Sequence, residues 1–144
     1  MAAGPSCGCG EGDRACVFAK ALLARAASCD MATRVCLAEG ELLECNSPVA
    51  RINCGTLAAL LHERSRFALR LPAPGRPLLH AQSLRLQCGG LSALRPVLQE
   101  SDVHRMVLRA QDLHGSLADL PWGELVPAIA AWQRRPRDGG RPPG

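Results

Sequence analysis

The chain has 144 residues, a formal net charge of +4 and eight cysteines. This length suits one domain with a hydrophobic core of its own. The charge is too small to indicate nucleic-acid binding, and with 3% aromatic residues base stacking is disfavoured. No apolar run approaches the length of a membrane span, so we expect no insertion into a membrane.

The composition is rich in Ala, Leu and Arg, contains no Tyr, and includes Lys20 as its single lysine. We interpret this bias as typical of a GC-rich bacterial genome. A core of Leu, Ala and Val favours helices over strands. The first residues lack the basic and apolar regions of a secretory signal, which predicts a cytoplasmic chain whose thiols stay reduced.

The first half of the chain predicts three helices. Apolar spacing predicts one from Asp13 to about Ser28 and a short second one from Asp30, as its N-cap, to Gly40. The clearest helix start follows, because Ser47 is a good N-cap and Pro48 suits the first helical position.

The second half predicts a hairpin followed by helices. Residues 67–71 and 83–88 alternate between apolar and polar, so we expect two short strands that pair across a proline-rich loop. The Gly89-Gly90 pair is expected to stop the second strand. Further helices are predicted after Leu91, from Ser101 to Gly115, and up to Trp132.

These elements predict a mainly α fold, a small helical domain with one short β-hairpin. The domain is expected to span residues 13–133, with a cysteine cluster at 29–54. Residues 1–12, rich in Cys and Gly, are predicted to be flexible. Residues 134–144, rich in Arg, Pro and Gly, are predicted to be disordered.

The cysteines are the only residues dense enough to indicate chemistry. Four of them, Cys29, Cys36, Cys45 and Cys54, form the predicted ligand set for a metal or cofactor, with Cys88 as a competing ligand and Cys7, Cys9 and Cys16 as the next set. Cys29 and Cys45 lie just before predicted helix starts, and Cys88 precedes the glycine pair. Backbone N–H groups at such places favour the thiolate that metals bind.

The spacing bears on which metal these thiols would bind. The 29–54 segment has no Cys-x2-4-Cys pair of the kind structural zinc sites prefer, and no ferredoxin-type run. Wide gaps suit an iron–sulfur cluster better, because such clusters can draw ligands from separate helix ends. The sequence therefore predicts an iron–sulfur cluster, of the 4Fe–4S type, with zinc as the alternative. Unligated core cysteines and disulfide or redox-sensing cysteines remain open.

The predicted function is that of an electron carrier, or of an accessory factor in a larger redox or metallocofactor system, with a protein redox partner or enzyme complex. The alternative is a zinc-stabilised or metal-free helical interaction or regulatory module. No catalytic constellation is visible, which disfavours an enzyme. A thiol redox enzyme ranks last, because the chain has no Cys-x-x-Cys motif.

Overall fold

The computed structural model describes residues 14–38, 40–73 and 75–133. Within these ranges the elements, in chain order, are α1 (Ala19–Leu23), β1 (Ala32–Leu37), β2 (Gly40–Cys45), α2 (Pro48–Leu69), α3 (His80–Leu98), α4 (Val103–His114), a 3-10 turn (Leu117–Asp119) and α5 (Trp122–Ala131). The mainly α fold with one antiparallel hairpin is thus confirmed. The predictions for residues 1–12 and 134–144 lie outside the described residues.

The hairpin is not where the sequence predicts it, at residues 67–71 and 83–88. Residues 67–69 continue α2, and residues 83–88 lie inside α3. The alternation is misleading because α3 is buried on a broad face that includes both Leu84 and Leu86. A strand pattern of two or three apolar residues cannot be told from such a helix by periodicity alone.

The observed hairpin replaces the helix predicted from Asp30 to Gly40. Strand β1 pairs antiparallel with β2, in a register that runs from Ala32 opposite Cys45 to Leu37 opposite Gly40. Gly40 has a φ of 141°, which an L side chain rarely adopts, so it opens β2 and does not end a helix. Leu43 turns inward and joins the core.

Of the helix predicted from Asp13 to Ser28, the described residues after Arg14 keep only the five residues of α1, and Asp13 lies outside the described residues. Before it, Ala15 forms an antiparallel bridge with Glu44 on the outer edge of β2. After it, Arg25 takes a left-handed conformation, with φ of 62°. The pairing of Ala15 with β2 before α1 and the left-handed turn at Arg25 after it therefore override the helix propensity of this Ala- and Leu-rich stretch.

Helices α2 to α5 build the core around α3. The start of α2 is as predicted, with the Ser47 side chain accepting a hydrogen bond from the Ala50 N–H at 3.1 Å and Pro48 in the first turn. Gly90 lies inside α3, where it allows Leu61 of α2 to approach closely. Across the described residues, no helix is both long and apolar enough to cross a membrane.

The later helix boundaries follow the sequence more closely. Helix α4 ends at Gly115 as predicted, and Ser116 caps the 3-10 turn by accepting from the Ala118 N–H. The N-cap of α4 is Asp102, one residue after the predicted Ser101. Asp and Ser are comparable N-caps, so which of two neighbours serves is decided by tertiary contacts.

Ser65 gives a prediction about stability, because its side chain is fully buried in α2 and its hydroxyl has no hydrogen-bond partner among the described residues. Ser65→Ala should raise the free energy of unfolding by about 1 kcal/mol, since it removes an unsatisfied polar group and improves helix propensity. Urea unfolding measures this change. The same substitution at the cap of the same helix, Ser47→Ala, is the control and should lower stability by about 1 kcal/mol. A destabilised Ser65→Ala variant would contradict this expectation.

Candidate functional site

Four cysteines from four separate stretches of the chain line one small cavity. They are Cys16, Cys29, Cys45 and Cys54, and all four are free thiols. The cavity volume is about 10 Å³. Three of the predicted ligands, Cys29, Cys45 and Cys54, are thus brought together, and Cys16 joins them.

The hairpin positions two of these thiols. The Cys16 N–H donates to the Leu43 carbonyl at 3.0 Å, which ties the segment before α1 to β2. Cys45 is the last residue of β2 and its thiol donates to the Ser47 carbonyl at 3.2 Å. The strand therefore presents Cys45 at its end and carries Cys16 on its outer edge.

Two helix beginnings position the other two thiols. Cys54 lies in the second turn of α2 and faces the core. Cys29 is held near the start of α4, because the Val103 N–H donates to the Ser28 carbonyl at 2.8 Å. The predicted link between cysteines and helix starts therefore holds in part. The helix beside Cys29 is α4, far along the chain, and not a helix capped by Asp30.

Burial sets the protonation state of the site. Desolvation raises the pKa of the Cys16 thiol to about 11 and that of Cys54 to about 12, and it also raises the pKa of Cys29. Neighbouring thiolates add to these shifts, so the sulfurs are close enough to repel one another when ionised. These three thiols are neutral at pH 7 in the absence of a cation.

Backbone N–H groups face two of the sulfurs and oppose the desolvation. The Phe18 N–H lowers the pKa of Cys16, and the N–H groups of Met31 and His104 lower that of Cys29. Phe18 and Met31 each lie two residues after their cysteine. Donors of this kind stabilise sulfurs that carry negative charge, as in metal–thiolate sites.

One cation and one imidazole lie at the wall of the cavity. Arg51, in the first turn of α2, and His104, in the first turn of α4, both line it. A guanidinium near four sulfurs would offset part of the charge that thiolates bring into a buried place. A bound cation would favour the thiolates further.

The four sulfur atoms are not at the distances that ligands of one metal ion would have. In the part of the chain that the structure describes, no three Cys, His, Asp or Glu side chains are placed to hold a metal ion as they stand. The thiols surround a common cavity, but they would have to move inward to reach bonding distance from one ion. The four thiols are therefore suitable metal ligands that line one cavity, but their distances are not those of ligands around a bound ion.

The remaining cysteines lie elsewhere. Cys36 is exposed on β1 and does not line the cavity. Cys88 is buried within α3, and the expectation that it precedes a glycine turn is wrong because Gly89 and Gly90 continue the helix. Cys7 and Cys9 lie outside the described residues.

Two features of this site escape sequence reasoning. An argument from sequence spacing makes Cys36 a more probable ligand than Cys16, because it considers only how close the cysteines are along the chain. Spacing also does not connect the start of α4 with Cys29, although Asp102 is recognisable as an N-cap. Comparisons of the chain with protein-family models, with curated proteins and with solved structures find no match.

Proposed function

We propose that this chain is a zinc-stabilised helical domain in which Cys16, Cys29, Cys45 and Cys54 bind one metal ion. The observation that carries the proposal is the convergence of four free thiols, from four stretches of chain, on one small cavity. Four cysteines are a common ligand set of structural zinc. The ion would tie the hairpin and the α1 segment to α2 and α4.

The four-cysteine ligand set suits a single zinc ion. Zinc bonds sulfur at about 2.3 Å, so four sulfurs around it need only a compact pocket. The iron–sulfur cluster, with its electron-transfer role and protein redox partner, stays a prediction.

Proton release accompanies binding in this proposal. Metal ligation requires thiolates, so the ion must displace protons from thiols whose pKa burial has raised. When Cys45 loses its proton, its hydrogen bond to the Ser47 carbonyl is lost and the sulfur is free to turn toward the ion. The raised pKa values also disfavour a thiol enzyme, because the nucleophile in such enzymes is a thiolate with a lowered pKa.

The test is the metal content of protein purified without oxygen from a background in which Cys7 and Cys9 are both replaced by serine, so that only the remaining thiols can contribute. We expect a colourless protein with one zinc per chain, measured by plasma mass spectrometry. Chelation should release the zinc and expose four additional thiols to a thiol reagent. A brown protein with iron and sulfide would favour the cluster instead. Metal-free protein with the four cysteines in disulfides would contradict both zinc and cluster binding.

A further inference from the structure

A buried carboxylate lies next to the four-thiol cavity without lining it. Asp102 is only 5% exposed, yet both of its oxygens are used. Oδ1 accepts from the Asp30 N–H at 2.6 Å, and Oδ2 accepts from the Arg105 N–H at 3.0 Å. The second bond caps α4, but the first is not needed for any helix and reaches across 72 residues of sequence.

The contacts around Asp102 join the Cys29 turn to the first turn of α4. Ser28 and Asp102 form a parallel bridge, in which the Val103 N–H donates to the Ser28 carbonyl at 2.8 Å. On the solvent side, Arg105 Nη2 lies 2.9 Å from Asp30 Oδ2. The residues on both sides of Cys29 are therefore fastened to the same helix start.

These contacts determine which backbone N–H groups face the Cys29 sulfur. The His104 N–H, two residues after Asp102, faces that sulfur together with the Met31 N–H. If the 28–30 turn moved away from α4, the sulfur would lose the His104 donor and its place at the cavity. Partners behind the ligands commonly fix ligand orientation in this way.

We infer that Asp102 is the positioning residue of the four-thiol site, clamping the Cys29 turn to the start of α4 so that the sulfur faces the cavity and the His104 N–H. The part of this inference that concerns metal affinity rests on the proposed function. The part that concerns the position of Cys29 does not depend on any metal.

The clamp can be separated from the helix cap by substitution. Asp102→Ser keeps a good N-cap for α4, because serine and aspartate cap helices about equally well. Its single, shorter hydroxyl cannot also accept from the Asp30 N–H. Ser116→Ala is the matched control, since it removes a cap of the 3-10 turn, away from the cavity.

The first measurement is zinc affinity, by competition with a chromogenic chelator. Asp102→Ser should bind zinc about 10- to 100-fold more weakly than the parent chain, as is usual for residues that support metal ligands. Ser116→Ala should bind it as the parent does. If the parent binds zinc, equal affinity in Asp102→Ser and the parent would overturn the clamp.

The second measurement uses metal-free, reduced protein and does not require a metal site. Iodoacetamide labelling is followed residue by residue by mass spectrometry over a range of pH, and each rate is divided by the thiolate fraction, because the Asp102 charge itself raises the pKa of Cys29 and Cys54. On this scale Cys29 should react severalfold faster in Asp102→Ser than in the parent, with Cys54 unchanged. An unchanged rate at Cys29 would overturn the inference. Faster labelling of Cys29 in Asp102→Ser, together with a parent chain that binds no metal, would uphold the clamp and reject the proposed function, so the two failures are distinguishable.

Discussion

Replacing Cys45 with serine is expected to abolish most of the stabilisation that zinc gives to the fold. At a free zinc concentration about a thousand times the dissociation constant, binding should raise the free energy of unfolding of the parent by about 4 kcal/mol. Serine is close to cysteine in shape, but its hydroxyl does not form a thiolate bond. Cys45 is preferable to Cys54 for this test, because Cys54 is buried and its loss would add a packing cost.

The matched control for this prediction lies on the same hairpin. Cys36 is exposed on β1 and does not line the cavity, so Cys36→Ser should keep the full effect of zinc. Urea unfolding in reducing buffer, with zinc and with a chelator, measures both variants. If both lose the zinc-linked stabilisation equally, or neither does, the four-thiol assignment is wrong.

Gly90→Val should be the most destabilising single change among the glycines of the helical core. A Cβ at Gly90 would lie 2.8 and 2.9 Å from the two methyl carbons of Leu61, which is itself buried and has little room to move. Overpacking of this kind costs about 1–3 kcal/mol, and the β-branched side chain adds crowding against the preceding turn. We therefore expect a loss of about 2–3 kcal/mol in the free energy of unfolding.

Gly55 provides the contrast, because it lies inside α2 and no described residue outside its own stretch of helix comes within 4 Å of the position that a Cβ would occupy there. Gly55→Ala should raise stability by about 0.5–1 kcal/mol through helix propensity alone. Thermal or urea unfolding of both variants measures the difference. A Gly90→Val protein as stable as the parent would show that α2 and α3 do not pack as closely as the structure has them.

Local signals predict the elements that local chemistry controls. The Ser47 cap with Pro48 locates the start of α2, and Gly115 locates the end of α4, because both act within a single turn of helix. The predicted hairpin is misplaced because strand formation depends on a partner. Residues 32–37 become a strand by pairing with residues 40–45, and no short window of sequence records that pairing.

In the candidate site, too, local sequence signals identify some residues and long-range pairing determines the others. Cysteine density points to the 29–54 segment, and three of its four cysteines line the cavity. Cys36 does not, because the strand that carries it leaves it exposed. Cys16 does, because Ala15 pairs with Glu44 and brings the preceding segment alongside β2. These outcomes depend on the strand register and on pairing between distant segments, which spacing along the sequence does not encode.

The most direct measurement of four-thiol zinc binding is X-ray absorption at the zinc edge of the metal-loaded chain in which Cys7 and Cys9 are replaced by serine. We predict one zinc with four sulfur neighbours at about 2.3 Å, and the loss of one sulfur in Cys45→Ser but not in Cys36→Ser. A first shell of nitrogen and oxygen, or a four-sulfur shell unaffected by Cys45→Ser, would contradict that binding.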